Sequence, residues 1–484
     1  TLIAAGLKRG RRSFFGIFLL MALTGAVLTF TASMYVDLNA REEAALAEIE
    51  AGDVYAVDAA ANLNREVAAE IEALPEVSEA RLNDALGVPV KYYRGDGTAV
   101  DKNPTSGTAL VAWGDALDFR LFSEDGMSLV DEMPEPGPDE VYVPVSMQAS
   151  PGVREGDELE VIVGDSTRRL AIAGFYEDPQ MGTPFMEIKR YVVAARTFDE
   201  VAAEVDAAAA FDGETQKLFT SQAKLAAYRM AEINVRLTDE ARAAGTTSSD
   251  LARIIAEEIA WANTASGMFA SDTLVGYAMM VVVIGGAVMG VFALLLFAIA
   301  LIICTHTVST SIEEGYADYG TLKALGLPNR ALRGMLVVEY AGVSLAGLAV
   351  GLALGSALVP LALPFFAQLT GVLASNVTPP ALAIGLLAVL LALVAAVVAL
   401  KTGKLARISP LVAFRGGAAD VRFRSRGERP LGGSHLSLQL AVRAIMSAKR
   451  RYVGLAGCAC VLCAFIVLVF GIGGTLRGEN AAQD

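Results

Sequence analysis

The sequence predicts a polytopic α-helical membrane protein with a mixed α/β extracytoplasmic domain between its first and second spans. Three observations predict it. Of 484 residues, 54% are hydrophobic and 19% charged, and the mean hydropathy is +0.48, which is too apolar for a chain that folds only in water. The apolar residues gather in five runs, 14–36, 274–304, 335–365, 379–400 and 452–476, each meeting the roughly 20 residues needed to cross a bilayer core. Charge also separates by region: 37–272 holds 45 acidic and 19 basic residues, whereas 401–451 holds 2 acidic and 12 basic.

That asymmetry predicts orientation. Lys8, Arg9, Arg11 and Arg12 precede the first run with no acid among them. Short basic flanks stay cytoplasmic, while long acidic domains cross regardless of their charge. The expected layout places an amphipathic segment (1–13) inside, the domain 51–248 outside, and the loops 305–334 and 401–451 inside. This describes a multi-pass protein of the cell (plasma) membrane with a cytoplasmic N-terminus. The first run is too long for a removable signal peptide. The acidic bulk marks an extracytoplasmic domain and gives no reason to expect a nucleic-acid partner.

The first span is expected to continue as a stalk to residue 50, because "SMYVDLNAREEAALAEIEAG" keeps strong helix formers after the apolar run. Residues 249–304 are expected to mirror it, the amphipathic "SSDLARIIAEEIAWANTASGMF" leading straight into span two. The alternative for both stalks is a break at Gly52 or Gly267 with flexible linkers. Between the stalks, "GDVYAVDA", "GVPVKYYR" and "GTALVAWG" read as strands and "NREVAAEIEALPEV" as a helix. A β-rich insertion is expected at about 139–195, with a hairpin turning at "VGDS". An Ala-rich helical stretch (198–231) and the strand "AEINVRLT" close the domain. "LAVRAIMSAKRRYVGLAG" before the fifth run repeats the pattern of "LIAAGLKRGRRSFFGIFL" before the first. A second module is therefore expected to begin near Leu436, either cut short after its first span or reduced to an extra helix.

Few residues here suit catalysis. No P-loop pattern occurs. The two histidines, His306 and His435, are far apart and on the expected cytoplasmic side, which leaves the outer domain none for a zinc site or a Ser-His-Asp triad. Cys304, Cys458, Cys460 and Cys463 lie in or beside apolar runs and read as small apolar packing residues. No catalytic, cofactor-binding or metal-binding residue is assigned, and no cofactor is expected. Glu339 is the one clear intramembrane charge, positioned either to snorkel to the inner interface or to hydrogen-bond a neighbouring helix. Gly347, Gly351 and Gly355 form a stripe on one helical face, and Gly286 and Gly290 repeat the spacing on span two; such stripes let helix backbones approach closely.

"SIEEGYADYGTLKALGLPNRALRG" joins the second and third spans. It reads as a short amphipathic helix ending at Gly326, followed by a turn at Leu327–Pro328–Asn329. Tyr319, Leu322, Ala324 and Leu325 are expected to form an apolar patch, with Leu322 and Leu325 as its anchors and Lys323 and Gly326 in the same candidate docking segment. Such a patch fits either an interfacial helix on lipid or a docking knob for a cytoplasmic partner.

At this point the sequence resembles the FtsX-like and MacB-like permeases of ABC transporters, specifically their duplicated ten-span branch. "DYGTLKALGLPNRAL" resembles the coupling helix of that family. "LVVEYAGVSLAGLAVGLALG" resembles its third span, with an early Glu followed by spaced glycines. "ALKTGKLARISPLVAFRG" resembles its post-span pattern at Ala406, Arg407, Pro410, Ala413 and Arg415, and "VYVPVSMQASPGVREGDELEVIVGDSTRRLAIAGFYED" the β-rich part of its outer domain. This chain departs where Tyr316 and Ala317 replace an Arg pair, and Asp318 and Tyr319 a Glu-Ile pair. The resemblance implies a MacB-like periplasmic-core domain and a non-catalytic permease. Its partners would be a cytoplasmic ABC ATPase subunit docked at Tyr319–Gly326, a second permease protomer or second half of the same chain, and membrane lipids. It further implies mechanotransmission: stalk helices carry ATP-driven motion outward, and the outer domain exports, extracts or regulates a lipoprotein, lipid or peptide. A membrane sensor or scaffold that regulates an envelope enzyme without transport is the alternative.

Overall fold

The computed structural model describes residues 11–100, 107–115, 119–130, 133–208, 227–374 and 381–403. The expected fifth span, nearly all of the basic 401–451 segment and the restart near Leu436 lie outside the described residues. In chain order the elements are α1 (Arg11–Glu48), β1 (Val54–Ala59), α2 (Arg65–Glu72), β2 (Val77–Gly87), β3 (Val90–Tyr93), β4 (Thr108–Ala112), β5 (Arg120–Phe122), β6 (Leu129–Val130), β7 (Glu140–Pro144), β8 (Glu158–Val163), β9 (Ser166–Glu177), β10 (Lys189–Val193), α3 (Ala195–Ala207), β11 (Tyr228–Leu237), α4 (Asp239–Ala243), α5 (Ser248–Glu258), β12 (Gly267–Ala270), α6 (Ser271–Glu314), α7 (Tyr316–Ala324), α8 (Asn329–Thr370) and α9 (Ala381–Lys401). Among them α1, α6, α8 and α9 are long and apolar enough to cross a membrane. The chain is thus a multi-pass membrane protein with four candidate spans among the described residues, and a mixed α/β sheet domain lies between the first and second.

The chain divides into two compact units. One comprises 1–33, 285–359 and 377–484; the other comprises 34–284 and 360–376. The first is a helix bundle. Its core gathers Ile17 and Met21 of α1, Phe297, Ala300, Cys304 and Val308 of α6, Leu336, Tyr340 and Leu348 of α8, and Leu387, Leu390, Val394 and Val398 of α9. Phe14 and Tyr340 stack at 5.0 Å between ring centres. The opposite faces of α8 and α9 expose Leu354, Leu358, Ile384, Val389 and Leu393, as expected of helices solvated by lipid.

The second unit is built on one 12-stranded sheet in the order β12-β1-β11-β2-β4-β10-β7-β9-β5-β6, with β8 joining β3 to β9. Two pairings, β4 with β10 and β7 with β9, are parallel; the others are antiparallel. β1 is buried along its whole length. Its alternate residues Val54 and Ala56 share a core with Ile71 of α2 and Leu251 and Ile255 of α5, while Tyr55, Val57 and Ala59 enter a core with Tyr176, Met181 and Val192 on the other face. Within the 139–195 segment β7, β8, β9 and β10 join the same sheet, β10 pairing with β4. Its hairpin turns where expected, Val163 facing Ser166 across Gly164 and Asp165, with Gly164 at φ +57°. The helical stretch expected over 198–231 is helix through Ala207 and strand from Tyr228; the residues between lie outside the described set.

The two expected stalks differ. α1 runs unbroken through the stalk residues to Glu48. Gly52 then lies against β11 so closely that a Cβ there would meet the Val235 nitrogen at 2.7 Å, which leaves no room for a loose linker. The second stalk is not a continuous helix. Thr247 caps α5 through a reciprocal box with Asp250, and Ile259 ends it in an extended conformation. The Trp261 Nε1–H donates to Asp58, and Gly267–Ala270 pairs with β1 as an edge strand. The apolar stripe of this segment, Leu251, Ile255 and Ile259, finds a core partner in β1 and β11, so it folds back onto the sheet. α6 starts afresh at Ser271 and extends instead at its other end, to Glu314.

Candidate functional site

Among the described residues no group of three or more His, Cys, Asp or Glu is placed to hold a metal. α7 is closed by Gly326 at φ +94°, with the Leu327 N–H reaching back to the Leu322 carbonyl; glycine supplies the left-handed turn that such a helix end requires. Of the residues expected to form the apolar patch, Tyr319 is instead buried with Phe14, Cys304, Val308 and Leu336, and Leu322 packs against the same cluster. Tyr316, Tyr319 and Leu322 recur every three residues and face the bundle. Lys323 is half-buried. The outward face carries Ala317, Asp318, Thr321, Ala324 and Leu325, and Leu325 is 74% exposed. Of the two apolar anchors expected here, Leu325 is thus presented, whereas Leu322, with Tyr319, holds the helix down.

The glycine stripe lies against α1. A Cβ on Gly347 would meet the Phe18 carbonyl oxygen at 2.7 Å, one on Gly351 the Ala22 oxygen at 2.3 Å, and one on Gly355 the Ala26 oxygen at 2.6 Å. Backbone meets backbone over three successive turns, a contact that only glycine allows. Gly286 approaches the Thr31 methyl at 3.2 Å, whereas no described residue lies within 4 Å of a Cβ on Gly290 or Gly342. Glu339 is 5% exposed, so its side chain lies inside the bundle rather than extending to solvent.

The sheet-domain unit holds a buried polar cluster that sequence reading missed. Arg190, fully buried, donates to both carboxylate oxygens of Asp178 and to Gln180. Asp178 also accepts the N–H groups of Gln180 and Met181. The Lys189 Nζ donates to the carbonyls of Met181, Thr183 and Met186, one acceptor per ammonium hydrogen. Burial pushes the Lys189 ammonium down to about 7, with Asp178 opposing. These bonds fix the loop between β9 and β10. The same loop is tied to the end of α8: the Asp178 N–H donates to the Gly371 carbonyl, the Thr183 hydroxyl to Leu369, and the Leu373 N–H to Glu177. Glu177 in turn pairs with Arg41 of α1. Burial raises the Glu177 carboxyl, and Arg41 opposes the shift. Glu177 therefore joins α1, the sheet and the end of α8 at one point. The partners stand as far as 196 residues apart, too distant for any local pattern to reveal; the only signal is the density of charges among apolar residues in "YEDPQMGTPFMEIKR".

A cleft of about 900 Å³ opens in the same unit between Phe122, Tyr142, Phe175 and Pro364, with Arg154 and Glu155 on its rim.

No curated protein matches the chain. Residues 290–410 match the FtsX-like permease C-terminal domain, a stretch that begins within α6, takes in α7, α8 and α9, and so includes the capped turn, the glycine stripe and Glu339. Over these residues the chain is similar to an FtsX-like permease C-terminal domain.

Proposed function

We propose that the chain is the transmembrane subunit of a mechanotransmission ABC transporter, with a separate cytoplasmic ATPase seated on the outward face of α7. The observation that carries this reading is the exposed Leu325 at a glycine-capped helix end, in a turn whose own inner face is anchored in the bundle. The charge asymmetry supports a cytoplasmic position for this turn and an extracytoplasmic one for the sheet domain. A second protomer, or a second half of the same chain, completes the assembly. Hydrolysis in the ATPase moves α7, and the long helices α1 and α8 carry the displacement to the sheet domain. That domain then exports, extracts or regulates a lipoprotein, lipid or peptide of the envelope. The scarcity of charge within the spans suits a machine that moves its outer domain rather than passing ions.

The test is affinity purification of the tagged chain from its native membrane, with ATP turnover measured in the eluate. Leu325→Asp should weaken docking by about 2 kcal/mol or more, roughly thirtyfold in affinity, and remove the co-purifying turnover while leaving membrane insertion intact. Turnover unchanged by Leu325→Asp would overturn the docking assignment. Absence of any ATPase from the parent eluate would favour a sensor or scaffold.

A further inference from the structure

The loop between β9 and β10 is fixed by the Asp178–Arg190 pair and the three carbonyls around Lys189. Met181, Thr183, Met186 and Ile188 are buried, Pro184 is half-buried, and Phe185 and Glu187 are exposed. Phe185, at the tip, is 46% exposed. A loop held this firmly does not leave a phenylalanine in water by slackness. Its path along α8 places the tip. Asp178 and Gly182 lie against Gly371, and Thr183 bonds to Leu369, half a turn earlier in the helix. The loop therefore runs beside α8 about one helical turn from Phe365, and Phe185 lies in the turn closed by the Met186 N–H on the Thr183 carbonyl.

Neighbouring helix ends mark the depth it reaches. The third apolar run, 335–365, is about 45 Å long as helix, against about 40–45 Å for core plus headgroups, so Phe365 at its end falls at the headgroup level. Phe365 is exposed. Exposed tyrosines stand at matching places on the other two helices of this unit: Tyr35 at the end of the first apolar run and Tyr277 at the start of the second. Aromatic rings at this level form the belt that anchors spans at the membrane interface. We propose that the sheet domain adds its own member to this belt: Phe185 inserts into the headgroup layer of the leaflet facing the domain, making lipid the binding partner of the β9–β10 loop. The inference rests on the spans alone and stands whether or not an ATPase binds α7.

The test places tryptophan at the tip. The full chain and its Phe185→Trp variant are reconstituted in vesicles of phosphatidylcholine and phosphatidylglycerol, some brominated near the headgroup and some near the chain end. Parent emission, from Trp113 and Trp261, is subtracted. The added emission should lose roughly half its intensity with shallow bromine, less with deep bromine, and little with aqueous iodide. Phe365→Trp serves as the helix-borne reference, and Pro184→Trp repeats the measurement should Phe185→Trp fail to fold. Quenching by iodide without bromolipid quenching would place the loop in water and overturn the proposal. Protection from both quenchers would overturn it too, pointing to a protein cover such as a second copy of the chain.

Discussion

Replacing Gly351 by alanine adds one methyl group to the tightest point of the α1–α8 contact. That methyl carbon would sit 2.3 Å from the Ala22 carbonyl oxygen and 2.8 Å from the Gly25 Cα. Carbon and carbonyl oxygen rest at about 3.3 Å or more, so the helices must separate locally by about 1 Å. A gap of that size forfeits up to about half of each dispersion contact it opens. Core overpacking of this kind costs about 1–3 kcal/mol. Gly342→Ala is the matched control, because nothing lies within 4 Å of its added methyl. Both substitutions gain the same helix propensity, about 0.8–1.0 kcal/mol, so the difference between them isolates the packing cost. Reversible unfolding of the two variants in mixed detergent–SDS micelles should separate them by about 1–3 kcal/mol, with Gly342→Ala the more stable. If the two unfold together, the glycine stripe does not hold α8 to α1 and the packing argument is wrong.

Two further outcomes follow from the sheet-domain unit. Both carboxylate oxygens of Glu42 are buried without a hydrogen-bond partner, with Glu177 and Asp178 as acidic neighbours; Glu42→Leu should therefore stabilise the protein by about 1–3 kcal/mol, read as a raised thermal midpoint, and a lowered midpoint would mean that Glu42 has a partner after all. Thr247→Ala removes the capping box of α5 and should cost about 1 kcal/mol, with amide exchange quickening first across residues 248–258; unchanged exchange there would show that core burial alone holds the helix.

The four described spans were legible because length and apolarity suffice to define them: α9 is 21 residues with one charge, at its end. The β8–β9 hairpin was legible for a similar reason, since Gly164 and Asp165 carry the turn locally. α5 was recognised as a helix but given the wrong partner. Its period is local information, whereas its burial against Val54 and Ile233 depends on strands up to about 200 residues away in the chain. The same limit governed α7. Tyr319, Leu322 and Leu325 look alike as apolar residues, and only the position of Leu332 and Leu336 after the turn decides that the first two face inward. Glu177, Asp178, Lys189 and Arg190 form a buried ionic cluster assembled by tertiary contacts, and charge density in one segment does not say which of its charges meet.

The edge pairing of β12 with β1 bears on how the sheet domain can be moved. α1 passes into β1 after a short turn, and β12 passes into α6 with no residue between. Val54, the first residue of β1, faces Ala270, the last of β12, and the Ser271 N–H bonds to the Asp53 carbonyl at the same end of the ladder. The two helices therefore leave the sheet from one rung, at the strand spacing of about 4.8 Å. In the proposed mechanism that rung is a fulcrum. If the far ends of α1 and α6 spread, these ends cannot follow without unzipping the ladder from its first pair, so a splay becomes a rotation about Val54 and Ala270. Leverage then depends on helix length: a small tilt sweeps the far end of a 44-residue helix through a wide arc while the sheet edge merely turns.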